Sequence, residues 1–371
     1  MTFRRISSVA TAIVVAAGVV ACGSSSHNNS PSSGGSGSGS SGAAATLDGA
    51  GSTFAAPIYE QWGSTVKNQN LTVNYNPTGS GAGVTALQAA TVAFAGNDAP
   101  LKSTDVSKAK GPVLQFPVAF GSITVSYNLS GIKSGLKLDG PTIADIFSGK
   151  IKTWNDSAIK ALNPGVSLPS TTITVVHRSD SSGTTNGFTT FLSDVSPAWK
   201  SSIGKGKTVQ WPTGTGAKGN AGVAAAVKQT AGSIGYVEQA YALVNGFTYA
   251  AVKNKAGTYV VPTLAATSAA AVGITVPANL GISTINSSNP QAYPIASQTF
   301  IDVYKDPCKD DALSSSTAGG LKRWLTYAFG AGQKTFGSGS NQLPYAALPS
   351  DLVSKNEAQL ATMTCNGSPI S

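Results

Sequence analysis

The chain has 371 residues, which is enough for one large domain or two ordinary domains with buried cores. Its formal charge is +9, but only 11% of its residues are charged, and basic residues form no block interleaved with aromatic ones. This composition argues against a nucleic-acid partner.

The first 22 residues are predicted to be a secretory signal peptide. Arg4 and Arg5 precede an apolar run, residues 9–20, that is too short for a usual membrane span. The tetrapeptide that ends at Cys22 resembles a bacterial lipobox, which implies that Cys22 is lipidated and becomes the mature N-terminus. An ordinary cleavage site beside a chance cysteine is the alternative.

A tether is predicted after the lipobox. Residues 23–45 are nearly all Ser, Gly, Asn and Ala, so this segment has little apolar surface to bury. A lipid and a tether together predict an extracytoplasmic protein that is anchored to the cell membrane without spanning it. In that oxidising compartment Cys308 and Cys365 are expected to form a disulfide, although the sequence does not show whether they are close enough.

Helices and strands alternate in the first part of the chain. Apolar residues recur every four positions from Phe54 to Val66, which predicts a helix with one buried face over residues 54–67. The other elements predicted here are strands at 71–75 and 92–94 and helices at 84–91 and 104–110. Residues 113–128 are apolar and β-prone, and this run is long for one strand. We therefore predict that it crosses between two lobes.

The segment 172–193 has the pattern of a strand, a Ser/Gly/Thr turn and a helix. A helix start after such a turn presents free backbone N–H groups at the positive end of the helix dipole, which suits an anion. Arg178 adds a planar guanidinium that can bind a tetrahedral oxyanion, and Asp180 could hold that guanidinium in place. The alternative is an ordinary Ser-capped helix with a surface ion pair.

The remaining elements follow the same alternation. They are predicted as helices at 142–147, 156–162, 221–229, 239–244, 317–329 and 352–363 and strands at 233–237 and 299–304, the last being the return crossing. Residues 214–219 spell G-x-G-x-x-G, but Pro212 stands where a preceding strand would end, which disfavours a dinucleotide site. Asn220 is expected to cap the helix that follows. Residues 260–291 fit no element clearly.

Alternating strands and helices predict an α/β fold, and two apolar crossings predict two lobes joined by two strands. Three strand–turn–helix junctions carry the same chemistry, a hydroxyl beside bare backbone amides: Ser52-Thr53-Phe54, Gly79-Ser80-Gly81 and Ser182-Gly183-Thr184. Their repetition predicts one ligand held between helix ends, in the crevice where such folds bind small molecules.

Several segments together resemble the phosphate-binding proteins of bacterial ABC importers. They are Gly49-Ala50-Gly51-Ser52-Thr53-Phe54, Asn97-Asp98-Ala99-Pro100, Arg178-Ser179-Asp180-Ser181-Ser182-Gly183-Thr184, Trp211-Pro212 and Gly235-Tyr236-Val237-Glu238. The resemblance implies a two-lobed, type II periplasmic-binding-protein-like fold in which each lobe is a mixed sheet flanked by helices. Residues 46–121 and 293–371 would form lobe I, and residues 122–292 would form lobe II.

By that resemblance the phosphate ligands would be Thr53, Phe54, Ser80, Asp98, Arg178, Ser182, Gly183 and Thr184, with Asp180 supporting Arg178. Asp98 would accept a hydrogen bond from the P–OH of a protonated phosphate, which sulfate cannot offer. The alternative is that Asp98 only caps the turn before Pro100. The implied function is extracytoplasmic phosphate binding and delivery to the permease subunits of an ABC importer, by a monomer without cofactor or metal.

A phosphatase and a surface sensor or adhesin are the alternative functions. A phosphatase needs a nucleophile with a base, or a metal, and the only histidines are His27 in the tether and His177 on the predicted strand. The sequence has no G-x-S-x-G and no clustered metal-ligand spacing, so catalysis is not expected. A phosphate-binding surface sensor or adhesin without transport stays open.

Overall fold

The computed structural model describes residues 42–370. The predicted signal peptide, the lipidation of Cys22 and nearly all of the predicted tether lie outside the described residues. The first strand begins at Ala45, one residue before the predicted start, and the Ala45 side chain is buried.

The strands are β1 Ala45–Gly51, β2 Leu71–Asn76, β3 Phe94–Asn97, β4 Val113–Tyr127, β5 Lys137–Leu138, β6 Thr174–Arg178, β7 Thr215–Ala217, β8 Ser233–Glu238, β9 Thr248–Tyr249, β10 Ala251–Lys253, β11 Tyr259–Val260, β12 Ala296–Tyr304, β13 Thr364–Cys365 and β14 Ser368–Pro369. The helices are α1 Ala56–Val66, α2 Ser80–Gln88, α3 Ser103–Val106, α4 Gly140–Phe147, α5 Ser157–Leu162, α6 Gly183–Val195, α7 Pro197–Ser202, α8 Gly219–Gln229, α9 Gln239–Val244, α10 Leu264–Ala270, α11 Pro307–Asp310, α12 Ser315–Phe329 and α13 Ser350–Leu360.

Strand β4 organises the main sheet, whose order is β2-β1-β3-β12-β4-β8-β6-β7, with β9 also paired to β4. Nine of its first ten residues pair with β12, Val118 falling at a register shift, and its last five, Ile123 to Tyr127, pair with β8. One strand therefore belongs to both halves of the sheet, as its length predicts. We call β1, β2, β3 and β12 with α1 and α2 the β3 side, and β6, β7 and β8 with α6 and α8 the β6 side.

Both sides mix parallel and antiparallel pairing. Strand β1 runs parallel to β2 and β3, and β6 runs parallel to β7 and β8, whereas β12 and β8 are antiparallel to β4. The carboxyl ends of β1, β3 and β6 carry the turns that enter the helices. This arrangement places those turns at one edge of each side, which is where open α/β sheets usually bind ligands.

The core combines aliphatic side chains with many large aromatic ones. On the β3 side the fully buried Trp62 of α1 meets Trp324 of α12 edge to face, with 5.8 Å between ring centroids. On the β6 side Phe188 stacks on Tyr236 at 4.4 Å. The predicted apolar stripe of α1 is confirmed, because Phe54, Ile58, Trp62 and Val66 are all fully buried.

Helices α2 and α6 begin earlier than their apolar patterns predict. Helix α2 starts at Ser80, after Gly79 with a φ of 101°, and α6 starts at Gly183 with Ser182 as its N-cap. The Ser/Gly residues that the sequence places in turns therefore form the first turns of the helices.

After the end of β11 at Val260, the segment up to residue 291 contains one helix, α10, and otherwise consists of turns and irregular backbone. Its Ile282 packs with Phe120 and Phe300 in a small apolar cluster on the sheet. Cys308 and Cys365 form the predicted disulfide, with 4.9 Å between their Cα atoms. In residues 42–370 no helix combines the length and apolar character needed to cross a membrane.

Candidate anion-binding site

The turns of the β3 side and the β6 side meet directly. The Gly81 N–H at the start of α2 donates to the Ser181 carbonyl oxygen at 2.9 Å. A Cβ atom on Gly79 would lie 2.4 Å from Asp180 Oδ2, so only glycine allows this approach. The structure is thus closed, and residues far apart in sequence share one buried space.

Arg178, the last residue of β6, is 3% exposed and is held on two edges. Its Nε and Nη2 donate to the two carboxylate oxygens of Asp180 at 2.7 and 2.5 Å, and its Nη1 donates to Thr184 Oγ1 at 3.4 Å. Burial raises the pKa of Asp180, but the hydrogen bonds and charge of Arg178 outweigh burial, so its pKa is lowered overall. The pair therefore stays ionised, and the guanidinium has a fixed orientation.

Asp98 follows β3 and is 1% exposed. Its Oδ1 accepts hydrogen bonds from Ser52 at 2.5 Å and Thr299 at 2.8 Å, and its Oδ2 accepts one from Ser80 at 3.2 Å. Burial raises the pKa of Asp98, while these three hydroxyls and the charge of Arg178 oppose the rise. A carboxylate offers about four lone-pair positions, so Oδ2 retains capacity to accept one more hydrogen.

Gly183 starts α6 directly against this carboxylate. A Cβ atom at Gly183 would lie 2.5 Å from Asp98 Oδ2 and 2.6 Å from Ser80 Oγ. Ser182 just before it is fully buried, and its Oγ accepts from the Thr185 N–H at 3.0 Å as the N-cap. The first turn of α6 therefore lies within contact distance of the Asp98 end of β3.

Thr53 and Phe54 connect β1 to α1 in the same space. Thr53 Oγ1 accepts from the backbone N–H and the side-chain Nδ2 of Asn220, at 3.1 and 2.9 Å. Tyr241 and Tyr345 donate their hydroxyl hydrogens to the carbonyl oxygens of Thr53 and Phe54, at 2.7 and 2.6 Å. Tyrosines on later elements thus fix the β1–α1 turn.

The structure brings the predicted residues Thr53, Phe54, Ser80, Asp98, Arg178, Asp180, Ser182, Gly183 and Thr184 to one closed region. Ser52, Thr299 and Asn220 also bond directly to members of that set. The sequence pattern marks Ser52 as a hydroxyl at a strand–turn–helix junction and Asn220 as a helix cap, but not as partners of Asp98 and Thr53. Thr299 lies in a predicted strand, which gives no signal for the site. The side chain of Asn220 does not cap α8, because the helix begins at Gly219 and Asn220 lies in its first turn.

The side chain of His177 lies outside this group of residues. Its ring stacks on Trp211 with 4.8 Å between centroids, and its Nδ1 lies 3.0 Å from the Arg178 carbonyl oxygen. Burial lowers the pKa of His177, which makes it a neutral packing group near pH 7. Among the described residues there is no group of three or more His, Cys, Asp or Glu side chains that could hold a metal.

Residues 36–331 match the model of the PBP superfamily domain. A phosphate-binding protein PstS from Xylella fastidiosa is 42% identical over 320 residues, which are 85% of this chain and 85% of that protein. This chain belongs to the PstS phosphate-binding protein family.

Solved structures agree with the family's fold. A periplasmic phosphate-binding protein, PfluDING, bound with phosphate, superposes with a TM-score of 0.66 at 23% identity, covering 88% of this chain and 96% of that one. An ABC-type phosphate transport receptor from Vibrio cholerae gives a TM-score of 0.52 at 16% identity, covering 82% and 100%. These likenesses confirm the predicted two-lobed, type II periplasmic-binding-protein-like α/β fold. The PstS relative and PfluDING are named as binding proteins rather than as enzymes.

Proposed function

We propose that this member of the PstS family binds inorganic phosphate outside the cytoplasm, between its two lobes, and delivers it to the permease of an ABC importer. The ligands are Thr53, Phe54, Ser80, Asp98, Arg178, Ser182, Gly183 and Thr184, with Asp180 as the support of Arg178. The lobes are residues 46–121 with 293–371, and residues 122–292. Cys22 carries the lipid that anchors the chain to the cell membrane.

The observation that carries this proposal is that Arg178 and Asp98 border the same closed space, Arg178 bonding to Thr184 and Asp98 lying against the neighbouring Gly183. Arg178 offers a guanidinium already oriented by Asp180, and hydroxyls and amides at helix N-termini surround it. Such donors have fixed dipoles, so little reorganises when an oxyanion binds. One full positive charge among neutral donors suits a small tetrahedral anion better than a large polyanion.

The position of Asp98 favours phosphate over sulfate as the ligand. A carboxylate beside an anion is repulsive unless the anion carries a hydrogen that it can donate. Both protonation states of phosphate near neutral pH have a P–OH group, and the free capacity of Asp98 Oδ2 can accept that hydrogen. Sulfate has no hydrogen to donate, and a site built around a ligand hydroxyl rejects analogues without it by roughly 10⁴–10⁵.

Calorimetric titration with phosphate and then sulfate tests the proposal. We expect the wild-type protein to bind phosphate and not sulfate at comparable concentration, and Asp98→Asn to weaken the exclusion of sulfate while keeping phosphate binding. Because burial raises the pKa of Asp98, the exclusion should weaken as the pH falls and the carboxyl protonates. Sulfate that displaces phosphate from the wild type at similar concentration at pH 8 would refute the proposed role of Asp98.

A further inference from the structure

The side chain of Asn220 is fully buried between two threonines of the proposed site. Its Nδ2 lies 2.9 Å from Thr53 Oγ1 on the β3 side and 3.1 Å from Thr184 Oγ1 on the β6 side. Asn220 lies in the first turn of α8, directly after the G-x-G-x-x-G segment. It is therefore a single amide that contacts a hydroxyl from each half of the molecule.

The orientation of this amide is fixed by its other end. Asn220 Oδ1 lies 2.9 Å from the backbone nitrogen of Glu238, which can only donate. Oδ1 must therefore be the acceptor, and Nδ2 must carry both hydrogens toward Thr53 and Thr184. The donor and the acceptor in all three hydrogen bonds of the amide are therefore determined.

This arrangement determines what the two hydroxyls can do. Thr53 Oγ1 already accepts from the Asn220 backbone N–H and from Nδ2. Thr184 Oγ1 already accepts from Nδ2 and from Nη1 of Arg178. A hydroxyl has two acceptor positions and one hydrogen, so each threonine keeps only its hydrogen for a ligand.

We propose that Asn220 is a positioning residue that forces Thr53 and Thr184 to act as hydrogen-bond donors toward the bound anion. It completes this arrangement only when the lobes are closed, because the two threonines come from opposite sides. The inference rests on the proposed phosphate function and adds a residue that does not itself touch the ligand. The G-x-G-x-x-G segment also contacts the support of Arg178, because the Gly219 N–H donates to Asp180 Oδ1 at 3.0 Å.

Substitutions at Asn220 separate this role from simple packing. Asn220→Asp is nearly isosteric, but its carboxylate accepts, so both threonine hydrogens would turn away from the ligand toward it. Asn220→Ala removes the donor and leaves the hydroxyls free to rotate. We expect phosphate affinity to fall about tenfold for Asn220→Ala and about a hundredfold for Asn220→Asp at pH 8. A packing role predicts the reverse order, because the isosteric change is the gentler one for packing.

A matched control is available at Asn163. Its Oδ1 accepts from the Lys137 N–H at 2.8 Å, and its Nδ2 donates to the carbonyl oxygens of Lys137 and Ile159 at 2.8 and 3.0 Å. Asn163 is buried like Asn220 and has the same number of partners, but these are backbone groups of the β5 and α5 region. Asn163→Asp should change thermal stability without changing phosphate affinity.

Two further measurements test whether Asn220 acts through the hydroxyls. The affinity loss of Asn220→Asp relative to wild type should be smaller at pH 5 than at pH 8, because the introduced carboxyl regains a hydrogen when it protonates. In a Thr53→Val, Thr184→Val background, Asn220→Ala should cost less than about twofold, since no hydroxyl is left to orient. This measurement in the double-valine background tests the positioning role even if Asn220→Asp does not fold.

The outcomes are distinct. Wild-type affinity in both Asn220 variants, or losses that are equal at both pH values and fully additive with the threonine changes, would overturn the positioning role alone. A wild-type protein that binds no phosphate would overturn the proposed function and this inference with it. Failure of Asn163→Asp to bind phosphate would show that the loss at Asn220 is not specific, and would also count against the inference.

Discussion

Replacing Gly183 with alanine should block closure of the lobes without unfolding either of them. The new methyl group would lie 2.5 Å from Asp98 Oδ2, 2.6 Å from Asp98 Cβ and 2.6 Å from Ser80 Oγ, all on the opposite side of the cleft. Asp98 cannot turn aside, because Ser52 and Thr299 hold its Oδ1. The two sides must therefore part by about 1 Å to reach ordinary contact distances.

A displacement of that size separates Arg178 from the donors of the β3 side. Misplacement of contact groups by 1 Å costs about a hundredfold in well-organised sites, and we expect a similar loss of phosphate affinity for Gly183→Ala. Alanine is a better helix former than glycine at the start of α6, so thermal stability without ligand should change little. Calorimetry gives the affinity, and small-angle scattering with and without phosphate reports whether the lobes close.

Gly319 provides the control. It also lies in a helix, α12, but a Cβ atom there would meet nothing within 4 Å. Gly319→Ala should leave phosphate affinity unchanged and raise stability by roughly 0.5–1 kcal/mol. If Gly183→Ala bound phosphate within about threefold of wild type, which is well under 1 kcal/mol, the closed geometry would not be the binding geometry.

Three further changes give independent tests. Arg178→Ala should weaken phosphate binding by on the order of 2–5 kcal/mol in calorimetry, because it removes a charge-assisted contact and leaves Asp180 unpaired. Arg178→Lys should recover only part of that binding free energy, because lysine lacks the planar guanidinium. Near-wild-type binding by Arg178→Ala would place the site elsewhere. Burial raises the pKa of Asp302 from 3.8 to about 7. Between pH 3.8 and about 7 the folded state therefore keeps this proton while the unfolded state has lost it, so stability falls as the pH rises through that range. Asp302→Asn mimics the neutral carboxyl, so it should remove on the order of 4 kcal/mol of the decrease in the free energy of unfolding between pH 4 and pH 8. An unchanged pH dependence of the free energy of unfolding would contradict this. Replacing Cys308 and Cys365 with serine opens a link across 57 positions and should cost about 4 kcal/mol of stability, with phosphate affinity as the control that stays constant.

The sequence by itself determined the elements whose patterns are local. The four-residue repeat from Phe54 to Val66 predicts α1, and the unbroken apolar run from residue 113 predicts the long strand β4. The strand, turn and helix around Arg178 are predicted for the same reason. Each of these depends on side-chain periodicity within a dozen or so residues, which a single sequence displays directly.

The helix starts at the site were predicted less well. Serine and glycine are typical of turns, and the sequence gives no periodic apolar signal at Ser80 or Gly183. Ser80 nevertheless starts α2, where the Ser181 carbonyl oxygen on the opposite side of the molecule accepts from the Gly81 N–H. Gly183 starts α6, where Ser182 Oγ accepts from the Thr185 N–H as the N-cap. A contact between segments a hundred residues apart supports the first boundary, and a local cap supports the second.

Only the tertiary structure identified the residues that hold the proposed ligands in place. Ser52 and Thr299 donate to Asp98 from positions 46 and 201 residues away in the chain, and Asn220 reaches Thr53 across 167. The bonds of Ser52 and Thr299 depend on the pairing of β1 and β12 with β3, and the bond of Asn220 depends on the closed approach of the β6 side to the β3 side. No local pattern encodes either arrangement. A buried polar side chain needs partners, and folding determines which distant groups provide them.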